Sequence, residues 1–159
     1  NKTNFSGLET HIANSYSNPL LQLYRFTPCI RNLALLHTAT SCLFENCLLC
    51  ELGFLVDMLE KASGQNCQAT NFLKTFSSLS HGKTTSVLYL LEFADKHTVA
   101  ASLGLLEEHS PNSQLTVMIQ ALNRFLLDKI STDYRQMSPQ ANLMDQVSAC
   151  SVRIWECSG

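Results

Sequence analysis

The sequence predicts an α+β chain, most of which is helix. Three observations carry that expectation. Apolar residues recur at helical spacing in successive stretches up to Tyr134. Clusters of Ser, Gly, Asn and Pro separate those stretches. The first partly alternating pattern, Val152 and Ile154 against Arg153 and Trp155, comes only within Val147 to Trp155, where it reads as the first strand.

In chain order, Asn18 to Phe26 places Leu20, Leu21 and Tyr24 on one face, with Pro19 near the start, where a missing N–H costs little. The helix is expected to begin between Asn14 and Asn18. After Thr27-Pro28, the apolar run Cys29 to Leu36 reads as a second short helix, ending before a polar loop, His37 to Ser41. Leu48 to Lys61 is the strongest helix, with Leu48, Leu52, Leu55, Val56 and Leu59 on one face and Glu51 and Glu60 off it. Ser63-Gly64-Gln65-Asn66 ends it. Ala69 to Phe76 repeats the pattern with Phe72, Leu73 and Phe76, and Ser77 to Ser86 reads as irregular. From Val87 the spacing is helical again, weakened by Gly104, and Ser110-Pro111-Asn112 marks a turn. Leu115 to Tyr134 carries a stripe of Met118, Leu122, Phe125, Leu126 and Ile130, with Arg124, Asp128 and Lys129 off it.

The 159 residues, 45% hydrophobic, suffice for one core and are few for two. Lys and Arg total 11 against 13 Asp and Glu, a net charge of −2, and no window gathers the basic residues into a stripe. That distribution gives no basis for direct nucleic-acid binding by this stretch. No apolar run approaches a bilayer span and no signal-peptide pattern opens the chain, so a soluble, unexported protein with no membrane partner is expected. Seven cysteines, an odd number in a chain of this size, read as reduced thiols of a cytosolic or nuclear protein. Cys47 and Cys50 form a Cys-x-x-Cys that could be half of a zinc site. Zinc takes four ligands, however, and the pair opens an apolar helix, so packed thiols are the expectation.

The segment Gly7 to Gln22 carries the functional argument. Its spacing, Gly-Leu, six residues, Ser-Tyr, one residue, Asn, three residues, Gln, resembles the nucleophile box of papain-like ubiquitin-specific proteases. Gly7, Leu8, Tyr16, Asn18, Leu21 and Gln22 fall in register, and Ser15 stands where that family has its cysteine. An isolated Asn-Ser-Tyr needs no more explanation than a helix cap; six matches in register outweigh that account. In the family the cysteine sits at a helix N-terminus, whose field, with a histidine, stabilises the thiolate. A serine hydroxyl is a far weaker acid and needs an aligned general base. The resemblance also places Thr10 at the oxyanion-donor position, usually Asn or Gln, and Ile12 where a glycine is usual. The resemblance therefore implies that Ser15, Thr10 and Ile12 are the degenerate catalytic positions of a dead protease.

The run Cys47 to Leu59, followed by Gly64, Cys67-Gln68-Ala69 and Asn71 to Phe76, together with Asn1-Lys2-Thr3 and Asn123-Arg124-Phe125, resembles one branch of that superfamily. The branch is the pseudo-ubiquitin-hydrolase domain of poly(A)-binding-protein-dependent poly(A)-specific ribonucleases. This resemblance implies a papain-like fold of the ubiquitin-specific protease type, with the chain as its mostly helical part. Residues 1–159 would then form a partial domain, cut before a zinc-finger-like insertion and the β-rich half. It implies a non-catalytic scaffold in the catalytic subunit of a cytoplasmic deadenylase, supporting mRNA poly(A)-tail shortening by a separate magnesium-dependent exonuclease domain. Implied partners are that exonuclease domain and a pseudokinase regulatory subunit, with poly(A) RNA and poly(A)-binding protein reached through the whole complex. The implied location is the cytoplasm, including processing bodies. No cofactor or metal is expected in this chain, Cys157 being the one candidate opening of a zinc-finger-like insertion. Two alternatives accompany this reading: a splicing-associated pseudo-protease with the same dead box, and a deubiquitinase using Ser15 as an unconventional nucleophile.

Overall fold

The computed structural model describes residues 3–79, 99–107 and 115–137. The first helical residues are a 3-10 turn, Ser15–Ser17, that runs into α1, Asn18–Phe26. Pro19 stands in the opening turn of α1, so the helix starts at the late end of the expected range. Thr27 is extended, as the residue before a proline tends to be, and α2, Pro28–Thr38, begins at once. It runs two residues beyond the expected end, so His37 and Thr38 are helical rather than loop. The Thr38 hydroxyl donates to the Leu35 carbonyl at 2.8 Å, which holds that last turn.

Helix α3, Leu48–Lys61, has the ends its periodicity predicts. It pairs antiparallel with α2: Arg31 bonds Glu60 at one end, and His37 meets Cys47 at the other. Gly53 makes the pairing close. A Cβ there would lie 2.4 Å from both the Ala34 carbonyl oxygen and the Thr38 Cγ2, distances no side chain can occupy. At its C-terminal end α3 leaves through Ser63 and Gly64, both at positive φ. A Cβ on Gly64 would meet the Thr3 carbonyl at 2.6 Å, so the turn can lie against the N-terminal segment.

Helix α4, Thr70–Ser78, takes up Ser77 and Ser78 from the stretch expected to be irregular. Their hydroxyls bond back to the Lys74 and Thr75 carbonyls, so these serines extend the helix. The short α5, Val99–Ser102, ends in a left-handed Gly104 with the Leu105 N–H donating to the Ala100 carbonyl and the Gly104 N–H to Ala101. The glycine that weakens the helical pattern is thus the residue that terminates it. Helix α6, Leu115–Met137, extends the expected element by about one turn. The rest of the stretch from Val87, the turn at Ser110 and the expected strand at Val147 to Trp155 lie outside the described residues.

Helix α3 is the centre of the core. It packs on α2, α4 and α6, and Leu48, Leu49, Leu52, Val56 and Leu59 are fully buried. Phe72 and Phe76 of α4 and Leu122, Leu126 and Ile130 of α6 close around it, with the Phe76 and Phe125 rings edge to face at 5.8 Å. Burying such side chains contributes roughly 1.5–3 kcal/mol each, so this cluster dominates the fold's stability. Among the described residues no helix is long and apolar enough to cross a membrane. They include one isolated parallel bridge, Leu8 to Cys67, and no strand.

Candidate functional site

The segment that leads to Ser15 is pinned from below. The Cys67 N–H donates to the Gly7 carbonyl and the Glu9 N–H to the Cys67 carbonyl, both at 2.9 Å, which aligns Gly7, Leu8 and Glu9 beside Cys67. Gly7 fits because a Cβ there would press to 3.0 Å on the Asn66 side chain. Asn14 then turns the chain in a left-handed conformation, φ 63°, and its side-chain oxygen accepts from the Glu107 N–H at 2.9 Å. Asn tolerates that conformation better than other side-chain-bearing residues.

Each residue of the box other than Ser15 has a structural task. The Asn18 amide, at the start of α1, donates to the Glu9 carbonyl at 2.9 Å, and the Gln22 amide to the Ser6 carbonyl at 3.1 Å. Leu21 is fully buried. The Tyr16 hydroxyl donates to the Leu105 carbonyl, tying the turn to the segment after α5. Burial, reinforced by Glu107, holds the Tyr16 phenol well above its ordinary range, so it stays a neutral donor.

Ser15 has a different arrangement. Its hydroxyl donates to the Thr10 backbone carbonyl at 2.8 Å. The proton that a general base would have to remove is held by an acceptor with no basic function. The two described histidines are placed elsewhere: His11 is exposed and 3.6 Å from Glu9, and His37 is buried beside Cys47. His81, His97 and His109 lie outside the described residues.

Ser15, Thr10, Tyr16, Asn18 and Gln22 line an open cleft of about 560 Å³ whose far wall is Glu107, Leu115 and Ile119. The charge Glu107 brings to this wall is negative, the wrong sign for a site in which an oxyanion develops. Ile12 does not share this cleft. It lines a separate hollow with Leu73, Lys74 and Ser77 of α4 and packs against the core. The structure therefore brings Ser15 and Thr10 into one cleft and gives the Ile12 side chain to another hollow, while the Ile12 carbonyl accepts from the Ser15 N–H at 3.2 Å. Cys157 is outside the described residues.

A second grouping was only half visible in the sequence. Cys47 and Cys50, at the start of α3, are joined by His37 from the end of α2 and by Cys42 from the connection between the two helices. Their ligand atoms all lie within 4.8 Å of one another. Burial raises the Cys47 and Cys50 thiols above their ordinary range and lowers His37, with Asp133 opposing the shift of the histidine. Cys42, Cys47, Cys50 and Cys67 are free, as expected of reduced thiols, whereas Cys29 is disulfide-bonded. The signal that would have completed the grouping was the histidine ten residues before Cys47.

Comparison with known proteins agrees with this geometry. Residues 6–158 match the family of ubiquitin carboxyl-terminal hydrolases. The chain is 61% identical to the catalytic subunit PAN2 of the PAN2-PAN3 deadenylation complex of Phaeosphaeria nodorum, over 99% of this chain and 13% of that protein. The protease and nuclease domains of the Neurospora crassa Pan2 catalytic unit share its fold with a TM-score of 0.69 and 36% identity, over 92% of this chain and 24% of that one. The Saccharomyces cerevisiae Pan2 pseudoubiquitin hydrolase-RNA exonuclease module in complex with AAGGA RNA gives 0.65 and 28%, over 91% and 22%. The chain thus spans about an eighth of the length of the curated relatives it matches. Its helical core around α3 and the box that leads into α1 are those of a papain-like hydrolase, and the chain belongs to the ubiquitin carboxyl-terminal hydrolase family, on the branch of the Pan2 pseudoubiquitin hydrolases.

Proposed function

We propose that this chain is a non-catalytic scaffold within the catalytic subunit of a cytoplasmic poly(A) deadenylase, supporting mRNA poly(A)-tail shortening carried out by a separate exonuclease domain. The observation that carries this reading is the Ser15 hydroxyl bonded to the Thr10 carbonyl. The nucleophile position of the resemblance is occupied by a weak acid whose proton is given to a backbone carbonyl, while the box residues around it are engaged in holding α1, the N-terminal segment and the segment after α5 together. The names of the relatives support the setting, since they are subunits of a deadenylation complex and modules that join a pseudoubiquitin hydrolase to an RNA exonuclease.

In this role the domain packs against the exonuclease domain and helps seat the subunit on its pseudokinase partner. Poly(A) RNA and poly(A)-binding protein are engaged by the assembled complex, in the cytoplasm and in processing bodies. The magnesium chemistry belongs to the exonuclease domain, and Ser15 and Thr10 take no part in it. The test is Ser15→Ala in the full-length protein. Poly(A) shortening should proceed at the wild-type rate, and neither protein should cleave a ubiquitin C-terminal reporter. Cleavage by the wild type that Ser15→Ala abolishes would replace the scaffold with a serine-based deubiquitinase.

A further inference from the structure

We propose that His37, Cys42, Cys47 and Cys50 bind one structural zinc ion. The four residues come from a single hairpin: His37 from the last turn of α2, Cys42 from the connection, Cys47 from the residue before α3 and Cys50 from its first turn. The His37 Nε2 lies 3.2 Å from the Cys47 Sγ, and no two of the four ligand atoms are more than 4.8 Å apart. In a tetrahedral zinc site with bonds of about 2.3 Å to sulfur and about 2.0 Å to nitrogen, neighbouring ligand atoms stand roughly 3.6–3.8 Å apart. The His37–Cys47 edge is already near that value, and an edge at the 4.8 Å limit would close by about 1 Å.

The chemistry of the donor set selects the metal. Three sulfurs and one imidazole are a soft, nitrogen-containing tetrahedral set, the Cys3His combination of structural zinc sites. Magnesium and calcium take oxygen ligands and would not be held there. Four protein ligands leave no open position for a water or substrate, so the site closes on the metal and does no chemistry. It shares no lining residue with the Ser15 cleft.

Two further features fit a bound metal and are hard to explain by packing alone. His37 is 4% exposed, at the end of a helix whose next residues are polar, and its Nε2 faces a sulfur in the interior. The group also sits at the N-terminus of α3, where the field of the helix favours the net negative charge of a zinc bound to three thiolates. The ion would fasten the connection between α2 and α3, which carries Leu43, at 95% exposure, and Phe44 on its outside and has little apolar contact to fix it. Asp133 of α6, buried and held by Lys129, approaches the Cys47 Sγ at 4.0 Å.

Zinc per chain in purified full-length protein, measured by elemental mass spectrometry for the wild type, Cys50→Ser and His37→Cys, tests this. Cys50→Ser should contain one zinc fewer than the wild type, and His37→Cys, which keeps four ligands, should retain it. Equal zinc in the wild type and a folded Cys50→Ser would overturn the proposal. Should Cys50→Ser fail to fold, native alkylation of the wild-type protein followed by peptide mapping decides. The proposal requires Cys42 and Cys50 to be protected from iodoacetamide until a zinc chelator is added. Alkylation at the same rate with and without the chelator would refute it.

Discussion

Gly53 of α3 lies against Ala34 of α2 so closely that a Cβ on Gly53 would be 2.4 Å from the Ala34 carbonyl oxygen. Two helices with side chains at the contact cannot approach this far, and the contact sets the separation of the hairpin at the heart of the core. Gly53→Ala improves intrinsic helix propensity by about 1 kcal/mol. It must also push α2 and α3 apart, and overpacking of this kind costs typically about 1–3 kcal/mol, more where backbone must move. The expected outcome is a lower thermal midpoint for this domain in the full-length protein. A midpoint raised by the substitution would show that the helices separate at no cost.

How much was legible in the sequence follows from the same contact. The ends of α3 were readable because its periodicity is local: five apolar residues at helical spacing, then Ser63-Gly64. The end of α2 was not, because whether Thr38 bonds back to Leu35 and continues the helix is decided with its packing against Gly53, which lies on the next helix. The family was legible because the spacing of the segment from Gly7 to Gln22 is local to the sequence. That Ser15 would turn its hydroxyl to Thr10, and Ile12 face α4, depends on the left-handed Asn14, which the sequence hints at only by being an asparagine. The grouping of His37 with three cysteines needed the hairpin itself, since residues thirteen apart meet only once α2 and α3 are closely paired.

Arg25 offers a second test of the packing. Its guanidinium is buried and donates to the Leu59 carbonyl in the last turn of α3 at 3.1 Å and to the Ser6 carbonyl at 3.4 Å. Removing it takes the side-chain donor from the Leu59 carbonyl, while Ser6 keeps the Gln22 amide, at about 1–3 kcal/mol for a buried group left unpaired. Arg25→Ala should destabilise the domain by roughly that amount. Arg25→Lys should recover little, because one ammonium lacks the fork that spans both acceptors. Full recovery by lysine in a denaturant titration would argue against this bridging role.

Tyr16 couples the box to the segment after α5 through its bond to the Leu105 carbonyl. Tyr16→Phe keeps the ring and loses the bond, a change of about 1 kcal/mol. Because the loss is at a junction, the larger effect should be local: amide exchange should speed up in 99–107 while the core of α3 is unchanged. Equal acceleration in both would mean that the hydroxyl supports the whole fold and not the junction.

Placing a thiol at Ser15 is the sharpest test of the proposed non-catalytic role. Ser15→Cys supplies the group the family uses, and if one substitution had silenced the enzyme, this variant would regain activity. The cleft around it argues otherwise. A free thiol ionises near pH 8.5, and the short 3-10 turn before α1 offers a weaker field than a long helix aimed at the sulfur. Neither described histidine lines the cleft, so no described side chain there can take the proton and later return it to the leaving group. Thr10 lines the cleft at the position where the resemblance implies an amide oxyanion donor, and loss of one such donor alone costs roughly 100- to 1000-fold in kcat. Glu107 adds a negative charge to the same wall, opposing both the thiolate and the oxyanion. These deficits act at different stages of the reaction, so no one of them is repaired by sulfur. Ser15→Cys in the full-length protein should leave a ubiquitin C-terminal reporter uncleaved above background while poly(A) shortening is unaffected, and sustained turnover of the reporter would contradict the account of the cleft given by Thr10 and Glu107.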